Sequence, residues 1–200
     1  MILYLMPGAC PLASHIALAW ADADYTVHRL SRETVRGKAY RQINPKAVVP
    51  ALFLDDGNVL TESLAILEYL AEKYPKARMG VQPDDVEGRV DLNEALAELV
   101  SDVHLAWSPI MVPERHVTLE ANQADAIEAA YGQFHVHYSR LDALMRDKTW
   151  RLFDRRTVAD AYLYVIDLDP SIQRVIREER LGERLDQLAL PVGVIAAALR

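Results

Sequence analysis

The residue with the most direct chemical potential is the chain's single cysteine, Cys10. It follows a short apolar run closed by Pro7-Gly8 and precedes a helical pattern, so it is predicted to lie at a helix N-terminus. The first N–H groups of a helix lack partners and the helix dipole adds partial positive charge, which together lower the pKa of a thiol. The position alone leaves open the alternative of a small buried hydrophobic residue.

Two further segments have the residue types needed to bind an extended peptide. Pro50 opens a predicted edge strand, and a cis Val49–Pro50 bond turns the Val49 backbone outward to pair with such a ligand, although trans is the commoner state. Glu62 and Ser63 precede a helix, where Glu62 offers an anion to an ammonium group. The helix N–H groups and the Ser63 hydroxyl offer donors to a carboxylate. A plain helix cap by Ser63 is the alternative.

Apolar patterning predicts the elements that position these residues. Short apolar runs predict strands at 2–6, 25–30, 50–54 and 59–60, and helical spacing predicts helices at 11–23, 32–42 and 63–74. An Asp-Asp-Gly-Asn turn joins the last two strands as a hairpin. The resulting order is βαβα followed by ββα, an α/β fold.

The remainder of the chain has no strand pattern. Proline and glycine at 75, 80 and 83 indicate a linker, and helical periodicity at 86–107, 119–145, 158–168 and the final thirty residues predicts an all-helical domain. Thr157-Val158-Ala159-Asp160 fits a capping box, in which Thr157 and Asp160 satisfy each other's backbone N–H groups. We interpret this box as a folding signal without chemistry.

Composition excludes several classes of function. A hydrophobic fraction of 51% with 26% charged residues is typical of a soluble folded chain, and a net charge of −7 argues against coating nucleic acid. One cysteine excludes an internal disulfide framework. His135 and His137 lie two residues apart and make a poor metal pair on a helix, so we expect no metal site. No secretory signal or membrane span is predicted, which favours the cytoplasm.

Taken together, these segments resemble the cytosolic glutathione S-transferases, the bacterial beta class in particular. The resemblance covers about the first 76 residues well and the second domain in patches. The matching stretches are Pro7-Gly8-Ala9-Cys10, Leu12-Ala13-Ser14-His15-Ile16, Asn44-Pro45-Lys46, Val49-Pro50-Ala51-Leu52, Leu60-Thr61-Glu62-Ser63, Ile66-Leu67-Glu68-Tyr69-Leu70 and Thr157-Val158-Ala159-Asp160-Ala161-Tyr162-Leu163. The resemblance implies a thioredoxin-like glutathione-binding domain at 1–76, a linker at 77–85, an all-helical domain at 86–200, and a two-fold homodimer.

The resemblance also implies a role for each site residue. Val49 pairs with the cysteinyl backbone of glutathione, with Pro50 cis, and Glu62 and Ser63 hold the γ-glutamyl end. Cys10 meets the glutathione sulfur, which His104 approaches from the second domain. Glutathione is the co-substrate and no separate cofactor is implied. An apolar pocket between the domains takes a small hydrophobic electrophile, so the reaction is a conjugation of the detoxification type.

Among the departures from the beta-class pattern, four concern the expected glutathione site. Leu5 and Pro11 stand where tyrosine and serine are usual, Val48 replaces a residue that touches glutathione, and Ala97 replaces one that reaches into the partner subunit's site. Two alternatives to conjugation therefore stay open. One is glutathione-dependent thiol–disulfide exchange through Cys10. The other is a transferase-like binding protein with little or no catalysis, which Pro11, Val48 and Ala97 favour.

Overall fold

A computed structural model describes residues 1–168, and its first half is built on one sheet with the strand order β2-β1-β3-β4. The strands are β1 (Ile2–Leu5), β2 (Thr26–Arg29), β3 (Ala51–Phe53) and β4 (Val59–Thr61). β2 is parallel to β1, whereas β3 is antiparallel to both β1 and β4. A parallel pair needs a crossover connection, which α1 (Pro11–Trp20) supplies.

Two more helices complete this half, α2 (Lys38–Ile43) and α3 (Ser63–Lys73), and the predicted βαβαββα order is confirmed. The hairpin between β3 and β4 turns at Gly57, whose φ of +88° lies in the left-handed region that glycine tolerates. The Asn58 N–H donates to Asp56 Oδ1 at 3.0 Å and closes this turn.

Two predicted helices are shorter than expected. α1 ends at Trp20 rather than at residue 23, and the predicted helix at 32–42 is divided into a 3₁₀ turn, Thr34–Arg36, and α2. The backbone is extended at Gly37, with ψ of 156°. The Ser31 N–H donates to the Thr34 hydroxyl at 2.7 Å, and the Thr34 N–H donates to the Ser31 hydroxyl at 3.1 Å. Such local bonds compete with a regular helix.

The second half is helical as far as residue 168. Its helices are α4 (Val86–Ala97), α5 (His104–Met111), α6 (Gln123–Met145) and α7 (Val158–Leu168). The predicted helix at 86–107 is interrupted by a π-helical turn, Glu98–Val103. The helix predicted over the final thirty residues lies outside the described residues. None of the described helices is long and apolar enough to cross a bilayer.

The start of α7 differs in detail from the predicted reciprocal box. The Thr157 N–H donates to Asp160 Oδ2 at 2.6 Å, but the Thr157 hydroxyl donates to the same oxygen at 2.9 Å instead of accepting from the Asp160 N–H. The Asp160 N–H bonds to the Thr157 carbonyl. Asp160 Oδ1 accepts the Arg151 N–H at 2.6 Å, so one buried carboxylate joins the helix start to the preceding loop.

One apolar cluster runs through both halves of the described chain. From the first half it includes Leu3 of β1, Ile16 of α1 and Leu67 of α3, and from the second half it includes Phe134 and Tyr138 of α6. All five side chains are fully buried. Because α7 packs against α1 and α3, it brings side chains of the second half close to Cys10.

Candidate active site

Cys10 is the residue that immediately precedes α1, as predicted, but its thiol makes no capping hydrogen bond to that helix. The thiol instead donates to the Val49 carbonyl oxygen, 3.6 Å from Sγ. The Ser63 hydroxyl is also a hydrogen-bond partner of Cys10. Three segments that are far apart in sequence therefore meet around this sulfur.

The prediction of a lowered Cys10 pKa is wrong. Burial raises the pKa of the Cys10 thiol, and hydrogen bonds from Ser63 and from the Cys10 backbone offset only part of this rise. A carbonyl oxygen accepts only from the protonated thiol, so the contact with Val49 favours the same form. Cys10 is thus a neutral hydrogen-bond donor near pH 7 rather than a thiolate nucleophile.

We expect iodoacetamide to alkylate Cys10 slowly at pH 7 and about tenfold faster for each further pH unit, because only the thiolate attacks and its fraction grows in that way below the pKa. Mass spectrometry of the intact chain measures this rate at the only cysteine. N-acetylcysteine is the control, since its rate levels off once pH exceeds the ordinary thiol pKa of about 8.5. A Cys10 rate that levels off at lower pH than the control contradicts the assignment.

The Val49–Pro50 peptide is cis, as the resemblance implies. Pro50 is buried and directly precedes β3. The prediction that it opens an edge strand is wrong, because β3 lies between β1 and β4. Proline is tolerated there since it stands ahead of the strand and has no ladder bond to donate. The Val48 side chain is 47% exposed and supplies no polar group beside Val49.

Glu62, rather than Ser63, is the N-cap of α3, which corrects the alternative of a plain cap by Ser63. Its φ of +71° is left-handed, and its carbonyl accepts the Ile66 N–H at 3.0 Å. Ser63 is the first helical residue and is buried, with its hydroxyl toward Cys10. The Glu62 carboxylate is exposed and holds an ammonium group already, that of Lys46.

His104 begins α5 directly after the π-helical turn, and turns of this kind often occur at functional sites. Its ring lies edge-on to Tyr162 with centroids 5.9 Å apart. Tyr162, on α7, is 1% exposed and interacts with both Ser63 and Cys10. Burial raises the pKa of the Tyr162 phenol, so this hydroxyl stays protonated. Tyr162 is thus the common neighbour of Cys10, Ser63 and His104.

Sequence reasoning assigned no site role to Tyr162. It appeared only as one residue of an apolar helical stretch, where a tyrosine is ordinarily a core residue. Nothing in its local pattern marks it, because its neighbours Ser63 and Cys10 belong to α3 and to the start of α1. The contact between α7 and the first half creates this part of the site.

A cavity of about 620 Å³ lies between α3, the segment 75–83 and α4. Glu68, Arg78, Arg89 and Arg155 line it, and neither Cys10 nor His104 does. It is therefore separate from the apolar substrate pocket expected beside the sulfur site, which stays a prediction. No group of three or more histidine, cysteine, aspartate or glutamate side chains in the described chain has the geometry to hold a metal ion.

Comparison with known proteins identifies relatives of this chain. The family model of the glutathione S-transferase N-terminal domain matches residues 9–73. The glutathione S-transferase GstA of Escherichia coli O157:H7 is 32% identical over 169 residues, which is 83% of this chain and 80% of that protein.

Solved structures match over nearly the whole chain. A sphingomonad glutathione S-transferase complexed with glutathione superposes with a TM-score of 0.84 at 30% identity, covering 100% of this chain and 97% of that one. A beta-class glutathione S-transferase from Sphingomonas chungbukensis also has a TM-score of 0.84, at 32% identity, covering 99% of this chain and 97% of that one.

Proposed function

Because this chain belongs to the glutathione S-transferase family, we propose that it binds glutathione across its first domain and transfers the glutathione thiolate to small hydrophobic electrophiles. One observation carries the proposal. The Cys10 thiol, the Val49 backbone and the Ser63 hydroxyl meet around one sulfur, from three segments that were each assigned to glutathione separately. A tripeptide thiol needs contacts of these kinds at its sulfur, its backbone and one end.

In this proposal both charged groups of the γ-glutamyl end of the ligand meet complementary groups. The Glu62 carboxylate takes the γ-glutamyl ammonium, which replaces the ammonium of Lys46. Both side chains of the present ion pair are more than half exposed, so exchanging one cation for another costs little. The Ser63 hydroxyl and the first N–H groups of α3, which the Glu62 side chain does not cap, donate to the γ-glutamyl carboxylate.

The proposed reaction is nucleophilic attack by the glutathione thiolate. The sulfur forms a bond to an electrophilic carbon, and for an aryl halide the halide leaves with its bonding electron pair. A protonated Cys10 suits this reaction. Its S–H turns from the Val49 carbonyl to donate a hydrogen bond to the glutathione thiolate, which lowers the pKa of the bound thiol. His104 approaches the same sulfur from α5, and no cofactor besides glutathione takes part.

The protonation state of Cys10 also separates conjugation from thiol–disulfide exchange. Exchange needs Cys10 itself as a thiolate, and a raised pKa leaves little of that form near neutral pH. We therefore favour conjugation over exchange. A homodimer, a cytoplasmic location and a role in detoxification extend the proposal and rest on family membership.

Retention on immobilised glutathione, followed by turnover of 1-chloro-2,4-dinitrobenzene, tests the proposed function. We expect the wild-type chain to be retained and to conjugate the aryl halide. Failure to bind glutathione contradicts the proposal and favours the alternative of a transferase-like binding protein.

The Cys10→Ala variant tests the role of the thiol in the same assays. We expect it to fold, since a small side chain replaces a small one, and to conjugate more slowly with a raised pKa of bound glutathione. Cys10→Ser is the matched control, because it keeps a donor at this position. Unchanged turnover in Cys10→Ala removes Cys10 from the mechanism, and fast reduction of a mixed disulfide that requires Cys10 favours the exchange alternative.

A further inference from the structure

The Val48 carbonyl oxygen accepts two hydrogen bonds from inside the protein. The Tyr40 hydroxyl donates at 2.8 Å, and the Asn44 side-chain amide donates at the same distance. Tyr40 is 3% exposed and Asn44 is 1% exposed, so neither donor is accessible to a ligand. Two buried donors are thus directed at one carbonyl of the loop that precedes β3.

These two bonds determine the orientation of the next N–H group. The Val48–Val49 peptide is trans, and in a trans peptide the C=O and N–H point in opposite directions. A Val48 carbonyl held toward the interior therefore directs the Val49 N–H away from it. Within the described part of the chain no acceptor bonds to this N–H.

Both donors are themselves held in place. The Tyr40 ring packs on Tyr4 of β1 with centroids 5.6 Å apart. Asn44 Oδ1 accepts the Lys46 N–H at 3.1 Å, and the Asn44 carbonyl accepts the Ala47 N–H at 2.9 Å. The loop is therefore folded around Asn44, and a buried amide with bonds on both sides has little freedom to move.

From this arrangement we infer that Tyr40 and Asn44 are positioning residues for glutathione. They fix the orientation of the Val48 carbonyl, and the Val49 N–H is therefore oriented to donate to the cysteinyl carbonyl of the ligand. The inference rests on the proposed function, in which Val49 pairs with that part of glutathione. Neither residue touches the ligand, so their effect is on binding of its backbone and not on its sulfur.

The Tyr40→Phe variant tests the inference, because phenylalanine keeps the ring contact with Tyr4 and removes only the hydroxyl. We expect the KM for glutathione to rise about three- to tenfold while kcat changes less than about twofold. The Kd for S-methylglutathione is expected to rise by the same factor, since this analogue keeps the backbone and lacks the free thiol. Titration calorimetry and steady-state kinetics measure these values.

Tyr69→Phe is the matched control, because it also removes a hydrogen-bonded tyrosine hydroxyl from the first domain, one that accepts from Lys73 at 2.9 Å. We expect it to leave both constants unchanged. An unchanged Kd in Tyr40→Phe, or an equal change in Tyr69→Phe, overturns the inference. So does a lower melting temperature in Tyr40→Phe without any change in glutathione binding, since that result describes a purely structural role.

Hydrogen exchange of the wild-type chain provides a test that needs no variant. We expect glutathione to slow exchange of the Val49 amide strongly, because the ligand carbonyl then occupies it. If the Val49 amide exchanges equally fast with and without saturating glutathione, the inference is overturned and the proposed function is not. A wild-type chain that binds no glutathione overturns the proposed function and the inference with it.

Discussion

Replacing Asp160 with alanine is expected to lower the free energy of unfolding by about 3–5 kcal/mol. Its carboxylate is 2% exposed and accepts bonds from the Thr157 N–H, the Thr157 hydroxyl and the Arg151 N–H. Alanine leaves these donors without a partner inside the protein, and each such loss costs about 1–3 kcal/mol. For a chain of this size the melting temperature then falls by about 10 °C. Denaturant unfolding followed by circular dichroism measures the change.

Asp85→Ala is the matched control for this experiment. Asp85 also caps a helix, α4, but its carboxylate accepts a single hydrogen bond, from the Gly88 N–H at 2.8 Å, at an exposed site. We expect a loss of about 1 kcal/mol there, the ordinary value of an N-cap. If Asp160→Ala costs no more than Asp85→Ala, the loop contact through Arg151 contributes nothing and our account of Asp160 is refuted.

Replacing Glu62 with alanine is expected to raise the KM for glutathione about two- to fivefold. An exposed ion pair is worth up to about 1 kcal/mol, which corresponds to this range of affinity. The exposed Glu62 carboxylate is already paired with the Lys46 ammonium, which shows that a primary ammonium fits it. Steady-state kinetics and titration calorimetry with glutathione measure the loss.

Binding of a glutathione analogue without the γ-glutamyl amino group tests whether the loss of affinity in Glu62→Ala is due to the ammonium. The wild-type chain should bind the analogue about as weakly as Glu62→Ala binds glutathione, and the variant should not distinguish the two ligands. Glu72→Ala is the control, since it removes an exposed carboxylate of the same helix two to three turns further on. A variant that still prefers glutathione over the analogue contradicts the assignment.

Many elements of the fold were predictable because their signals are local. Proline and glycine end β1, an Asp-Asp-Gly-Asn turn makes the hairpin, and the Thr157–Asp160 box starts α7. Some helix boundaries that were predicted wrongly lie where side-chain hydrogen bonds compete with the regular hydrogen bonds of a helix. The reciprocal bonds of Ser31 and Thr34, for example, replace the first turn of a predicted helix.

The residues of the candidate site were predictable only in part, and the reason differs from the one that holds for the helices and strands. Cys10, Val49, Glu62 and Ser63 were each proposed as site residues from their own surroundings and from the order of the segments that resemble a known family, and their roles stay predictions. Tyr162 and Tyr40 were not singled out, because each contacts a residue of another segment and its own neighbours in sequence are ordinary.

The amino-acid sequence by itself determined the family, the order of the elements and the residue types that a thiol-binding site needs. Only the tertiary structure decided the protonation of Cys10, the N-cap of α3 and the place of Tyr162 among the site residues. A pKa depends on burial and on the donors and acceptors within a few ångströms. For Cys10 one of these is a carbonyl 39 residues away, which turned a predicted thiolate into a hydrogen-bond donor.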